Sequence, residues 1–144
     1  MIKFYCEKDA TPPMRATQGS AGYDLCTLRD TFIKSDGVNM VHTGVHVEVP
    51  EGHVGLLCIR SGIASKHGLS LVNGTGVIDS DYRGEIIAAV IAKTTPTFLF
   101  GAGTRFCQLV IVPCVQQDVQ VVSSLEDLLK TDRDTGGFGS TGKC

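Results

Sequence analysis

The sequence predicts an all-β fold, a sandwich or barrel carrying one short helix. Three observations carry that expectation. Apolar and polar residues alternate through Val45-His46-Val47-Glu48-Val49, the period of a half-buried strand. A continuous run of branched and small apolar residues over 86–92 has the length of a strand buried on both faces. Turn formers are frequent, with 17 Gly and 5 Pro in 144 residues, which suits many short strands joined by turns.

The elements follow in order. Residues 2–6 open the chain as a strand. Pro12-Pro13 blocks helix and holds the chain extended toward Gly19 and Ser20. Residues 23–28 form a second strand with Asp24 inside it, and residues 38–49 alternate as a long half-buried one. Pro50-Glu51-Gly52 turns the chain and residues 54–59 return. Ser61 to His67 is the helix, with Gly68 placed to stop it. Residues 69–72 resume the strands. Residues 73–85 then read as a β-hairpin in which Gly74, Gly76 and Gly84 bracket Val77, Ile78, Asp79 and Tyr82. Strands over 97–100, 106–115 and 119–122 complete the pattern. Residues 123–129 offer a second helix, with Ser123 and Glu126 as its capping box. Past Lys130 the composition shifts to Gly, Thr and Asp, with Phe138 the only core-forming residue. The expected division is a packed domain over 1–130 and a flexible C-terminal arm over 131–144.

Composition sets limits on function. Hydrophobic residues make up 42% and charged residues 19%, so a single soluble domain is expected. A net charge of −2 gives no general attraction for nucleic acid or an anionic membrane, and neither is an expected partner. No apolar run approaches the roughly 18 residues of a membrane span, and Met-Ile-Lys-Phe-Tyr does not open a signal peptide. The expected location is the cytoplasm. The six cysteines include no Cys-x-x-Cys pair, and four sit among apolar residues, as free thiols do in a reducing compartment. Histidines 42, 46, 53 and 67 lack metal-ligand spacing on a helix, so no zinc is assigned.

Several segments carry chemistry. The glycine-bracketed stretch 73–85 lets main chain approach a ligand closely, with Asp79 facing a reacting bond. Arg60-Ser61-Gly62 opens the helix and suits a phosphate; an ordinary Ser cap beside a surface Arg is the alternative. Gln108, polar among apolar neighbours, can donate its amide to a phosphate oxygen. The Gly-Ser-Thr tail can cradle an anion or serve only as a flexible end.

Five stretches stand in order: Ala21-Gly22-Tyr23-Asp24-Leu25, Arg60-Ser61-Gly62-Ile63-Ala64, residues 73–85, Arg105-Phe106-Cys107-Gln108-Leu109, and Gly136-Gly137-Phe138-Gly139-Ser140-Thr141-Gly142. Together they resemble the motifs of the trimeric dUTP diphosphatases (dUTPases). The resemblance implies a distorted jelly roll and hydrolysis of dUTP to dUMP and pyrophosphate, which keeps uracil out of DNA and supplies dUMP for thymidylate synthesis. It implies Mg²⁺ as cofactor and a homotrimer with sites at subunit junctions, each arm closing over another subunit's site. On that reading Asp79 orients and partly deprotonates the attacking water, with Asp81 ranked behind it. Asp24 holds Mg²⁺ through its water shell. Arg60, Ser61, Gly62 and Gln108 bind phosphates. Tyr82 packs on deoxyribose and leaves no room for a 2′-hydroxyl. Asn73 and the main chain of Gly76, Val77, Ile78 and Asp79 read uracil, and Ile87 adds a backbone contact. From the arm, Arg133 reaches phosphate, Phe138 stacks on the base, and Gly139, Ser140 and Thr141 meet the γ-phosphate. Arg105 supports the site or a subunit contact. The chain departs from the family pattern at Asp134, usually a small residue, and at Cys107, usually Ala. Two competitors share the fold: a dCTP deaminase, against which Tyr82 and the Gly-rich arm argue, and a nucleotide-binding regulator without turnover.

Overall fold

Eleven strands and one helix occupy residues 1–93 and 97–136, the part of the chain that the computed structural model describes. In chain order the strands are β1 Lys3–Cys6, β2 Gly22–Cys26, β3 Thr31–Ile33, β4 Asn39–His42, β5 Val45–Glu48, β6 His53–Ile59, β7 Leu69–Leu71, β8 Gly76–Ile78, β9 Ile87–Ala92, β10 Phe98–Phe100 and β11 Arg105–Pro113. The helix α1, Ser61–His67, lies between β6 and β7 and is stopped by Gly68 in the left-handed region at φ 59°. Pairing is antiparallel throughout and makes four sheets: β1 with β5, β3 with β10, β4-β9-β7, and the larger β2-β11-β6-β8. Neighbours in a sheet are mostly distant in sequence, so the chain passes repeatedly between layers. The result is a distorted jelly-roll sandwich.

The core lies where the inward faces of these sheets meet. Leu25, Ile33, Leu69, Ile86, Phe106 and Leu109 are fully buried there. Each contributes roughly 1.5–3 kcal/mol through removal of its side chain from water. Cys26 and Cys107 sit in the same layer as unpaired thiols, and burial pushes both above the ordinary thiol value, so they stay protonated. No helix among the described residues is long and apolar enough to cross a membrane.

Several expectations are corrected. The strand over 38–49 is broken at Gly44, which has φ 64° and no room for a side chain: a Cβ would lie 2.9 Å from both Ala10 Cβ and Leu28 Cδ1. The chain turns a corner there, and β4 and β5 enter different sheets. The run over 86–92 is buried on one face only, since Ala88, Val90 and Ala92 point inward while Ile87 is 36% exposed. Residues 73–85 do not pair with themselves as a hairpin. A turn closed by the Gly74 N–H on the Leu71 carbonyl carries the chain from one sheet to the other, so β8 pairs with β6 and β7 with β9.

The expected strand over 119–122 has no ladder partner among the described residues, and Val119 and Val121 are about nine-tenths exposed. In place of the second helix there is only a 3₁₀ turn, Leu125–Asp127. Its cap is Ser124, whose Oγ accepts the Glu126 N–H at 3.2 Å while Asp127 Oδ2 accepts the Ser124 N–H at 3.2 Å. The capping box thus forms one residue later than Ser123 and Glu126 would place it. With Leu125, Leu128 and Leu129 all exposed, no apolar face is buried to sustain a longer helix. Phe138, Gly139, Ser140 and Thr141 lie outside the described residues.

Candidate active site

The first cleft is set by strand register. Asp24 on β2 stands opposite Gln108 on β11, and Gln108 opposite Cys58 on β6. Directly paired residues project to the same side of a sheet, so Asp24 and Gln108 share a face. Gly22, two residues before Asp24, lies beneath the Gln108 side chain. A Cβ at Gly22 would come within 2.6 Å of Gln108 Oε1 and 3.1 Å of its Cβ. Glycine is therefore what lets the amide lie flat across the strand.

Asp24 is 7% exposed and gripped by two guanidinium groups. Its Oδ1 is 3.1 Å from Arg60 Nε and its Oδ2 is 3.3 Å from Arg105 Nη1. Arg60 Nη1 also donates to the Arg105 carbonyl at 3.2 Å. A register shift between Arg105 and Cys107 re-aims Arg105. Arg105 thus holds one oxygen of Asp24.

Arg60 occupies the N-cap position of α1 with φ −66° and ψ 138°, and no side chain caps the helix. The alternative of an ordinary Ser cap therefore falls away, because Ser61 is already the first helical residue. Asp24, Arg60, Ser61, Gly62 and Gln108 line a cleft of about 680 Å³ together with Ser20, Ala21, Gly22 and Lys66. Lys66 had no sequence signal, because only the turn of α1 brings it round to this side. Two cations, an amide and hydroxyls around one opening suit phosphate oxygens.

The second cleft, of about 280 Å³, is lined by Asn73, Gly76, Val77, Ile78, Asp79, Tyr82, Glu85 and Ile87 over an apolar floor of Leu57, Leu71 and Ala89. β8 is the edge strand of its sheet, so one side of its main chain has no ladder partner among the described residues. Gly76 packs directly on β6, where a Cβ would meet Leu57 Cβ at 2.9 Å. Tyr82 is folded back: its hydroxyl donates to the Glu85 carbonyl at 3.0 Å, and its ring covers Gly84 so closely that a Cβ there would collide with it. Asp79 is exposed at the end of β8. An apolar slot with free main-chain groups on one rim suits a planar base.

The expected residues are therefore sorted into two clefts of one chain. Arg133 lines neither; it sits in an exposed turn with Nε donating to the Gly136 carbonyl at 2.9 Å. For Mg²⁺ the donor set is a single carboxylate, and no cluster of three or more His, Cys, Asp or Glu forms a metal cage among the described residues. Mg²⁺ keeps much of its water and takes one or two carboxylates plus substrate phosphates. Asp24 fits a metal carried in on that kind of substrate, because each oxygen held by a guanidinium retains capacity to accept from metal-bound water.

A jelly roll with a cationic cleft for phosphates and an apolar slot rimmed by free main chain defines a nucleotide-binding β-sandwich. The dUTPase family model matches residues 8–142, and the chain belongs to the dUTPase family. It is 43% identical over 135 residues to the deoxyuridine 5′-triphosphate nucleotidohydrolase of Paramecium bursaria Chlorella virus 1, covering 94% of this chain and 92% of that one. A relative of the same name from Desulfitobacterium hafniense is 43% identical over 143 residues, covering 96% of this chain and 93% of its own. Among solved structures, a mutant dUTPase of Staphylococcus bacteriophage 80alpha with dUpNHpp superposes with a TM-score of 0.86 at 27% identity, covering 99% of each chain. A mutant dUTPase from phage phi11 of S. aureus, described for its coordination of a structural Mg(II) ion, gives 0.78 at 25% identity, covering 88% of this chain and 99% of its own.

Proposed function

We propose that this chain hydrolyses dUTP to dUMP and pyrophosphate at the α–β phosphoanhydride bond, with Asp79 as the base. The observation that carries the reading is that residues suited to phosphate and residues suited to a nucleoside line two separate clefts, which supports the following roles. Arg60, Ser61, Gly62, Lys66 and Gln108 bind phosphate oxygens, while Asn73 and the main chain of residues 76–79 read the base and Tyr82 covers the deoxyribose. Uracil is distinguished from cytosine by fixed main-chain donors and acceptors, and Ile87 adds a contact on the same rim.

Asp79 accepts a proton from water as that water attacks the α-phosphorus; the bond to the bridging oxygen breaks and pyrophosphate leaves. Arg60 offsets charge that builds on the phosphate oxygens. Asp24 would hold Mg²⁺ through water. Bound there, Mg²⁺ supplies charge neutralisation on the triphosphate. The clefts of one chain carry phosphate and nucleoside residues separately, which supports a homotrimer with composite sites. Residues 131–144 would act as the arm, with Arg133 on phosphate, Phe138 on the base, and Gly139, Ser140 and Thr141 on the γ-phosphate. The unpaired thiols support work inside the cell.

Incubation of the full chain with dUTP or dCTP, with and without a chelator, tests this. The expected products are dUMP and pyrophosphate from dUTP, lost with chelator, at a light-scattering mass of three chains. Ammonia release from dCTP, or no product from either nucleotide, would overturn the reading.

A further inference from the structure

The loop between β8 and β9, residues 79–86, carries Asp79 and Tyr82 but contains no strand of its own. The corner between β4 and β5 holds it. Glu85 Oε1 accepts the Gly44 N–H at 2.8 Å, and Oε2 lies 2.9 Å from His42 Nδ1. Thr43 Oγ1 donates to the Ile86 carbonyl at 2.7 Å, and the Ile86 N–H donates to the Val45 carbonyl at 2.8 Å. His46 Nδ1 lies 2.9 Å from the Arg83 carbonyl, and its Nε2 lies 3.1 Å from Glu7.

Glu85 is the centre of these ties. Its side chain is 16% exposed, an unfavourable place for a carboxylate unless its oxygens are satisfied. Burial alone pushes its pKa up, yet the Gly44 N–H and His42 more than reverse that and leave it below the ordinary value. The carboxylate is thus ionised at neutral pH. Its own carbonyl takes the Tyr82 hydroxyl at 3.0 Å, and Glu85 lines the second cleft. A sandwich of this size needs no half-buried carboxylate beside its core. One placed here transmits the position of the β4–β5 corner to the Tyr82 ring.

We propose that Glu85, paired with His42, is the positioning residue that fixes Tyr82 and Asp79 for catalysis and for rejection of a 2′-hydroxyl, an inference that rests on the dUTP reading above. Gly44 is the backbone half of the same device, since its left-handed φ and the crowding by Ala10 and Leu28 leave its N–H aimed at Glu85.

Full-length Glu85→Gln and His42→Gln test this beside the unmodified protein, with kcat and KM for dUTP and UTP, melting temperature, and amide exchange over residues 79–86. Gln can still accept the Gly44 N–H but has no second carboxylate oxygen for His42 Nδ1. Misplacement by about 1 Å costs up to about 10²-fold, so kcat/KM for dUTP is expected to fall at least about tenfold in Glu85→Gln. The preference for dUTP over UTP narrows, and exchange quickens in the loop alone. A purely structural role lowers the melting temperature and leaves the dUTP-to-UTP ratio of the folded fraction unchanged, and that result overturns the proposal. If Glu85→Gln does not fold, His42→Gln decides, a narrowed ratio supporting the proposal and an unchanged one overturning it. If the unmodified protein leaves dUTP intact, the functional reading fails, and exchange then judges the positioning: faster loop amides support it and unchanged ones overturn it.

Discussion

The two clefts are held in shape by different means. In the first, Asp24 and Gln108 project from opposed positions of one ladder, and main-chain hydrogen bonds fix their spacing. In the second, Asp79 and Tyr82 ride on a loop that side chains tie to a neighbouring corner. A ladder keeps its geometry when one side chain is changed, so substitutions there test chemistry. A loop held by side-chain ties loses geometry when a tie is cut, so substitutions far from the substrate can still reach the reaction.

Three experiments break or sharpen that contrast. The largest effect is expected from Asp79→Asn, because general-base steps are worth roughly 10²–10⁴-fold. Asp79 is exposed, so turnover should fall by that factor while the melting temperature and calorimetric binding of dUpNHpp hold. Near-normal kcat would pass the role to Asp81. Next comes Gly22→Ala, which places a methyl 2.6 Å from Gln108 Oε1 without touching the register. The Gln108 amide must move aside to make room, and KM for dUTP should rise by up to about tenfold, the equivalent of about 1.4 kcal/mol, with a smaller change in kcat. An unmoved KM would remove Gln108 from the phosphate site.

The smallest effect concerns pH. The His46 pKa is raised, first by the Arg83 carbonyl and then by Glu7, against an opposing effect of burial. Its stabilising contribution is complete below the ordinary value of 6.5 and is lost as pH rises through the raised one. That of Glu85, whose pKa is lowered, is present above the ordinary 4.5 and lost as pH falls through the lowered one. Melting of His46→Gln against the unmodified protein should therefore show a gap below about pH 6.5 that closes toward alkali. Its size should be under about 1 kcal/mol. A gap constant with pH would deny His46 that role.

What the sequence made legible was local. The bounds of α1 follow from Ser61 onward to the Gly68 stop, and both signals lie within the segment itself. Register is not local. Gly76 and Gly84 lie at close approaches and Gly74 at a left-handed turn, yet nothing in them says that β8 would pair with β6. Two adjacent serines competed for one cap, and the structure uses the second. The apolar pattern over 119–122 signals the need for a partner and does not name one.

At the site, the motif segments stand out in the sequence, but their sorting does not, since segments 60–62, 73–82 and 108 alternate between the clefts along the chain. Lys66 and Glu85 passed unremarked. For Glu85 a signal did exist: a carboxylate entering an apolar run straight after Gly84 must find partners once that run is buried.

β8 ends one sheet, and a sheet edge invites any extended chain to extend it. Evolution usually blunts such edges with charge, brevity or a covering element, because the alternative is aggregation. Here the edge is three residues long, preceded by a left-handed Gly74 and closed by the charge of Asp79. An edge so short offers little ladder for a foreign strand. The brevity that leaves this main chain open at the second cleft also guards it against edge-to-edge aggregation.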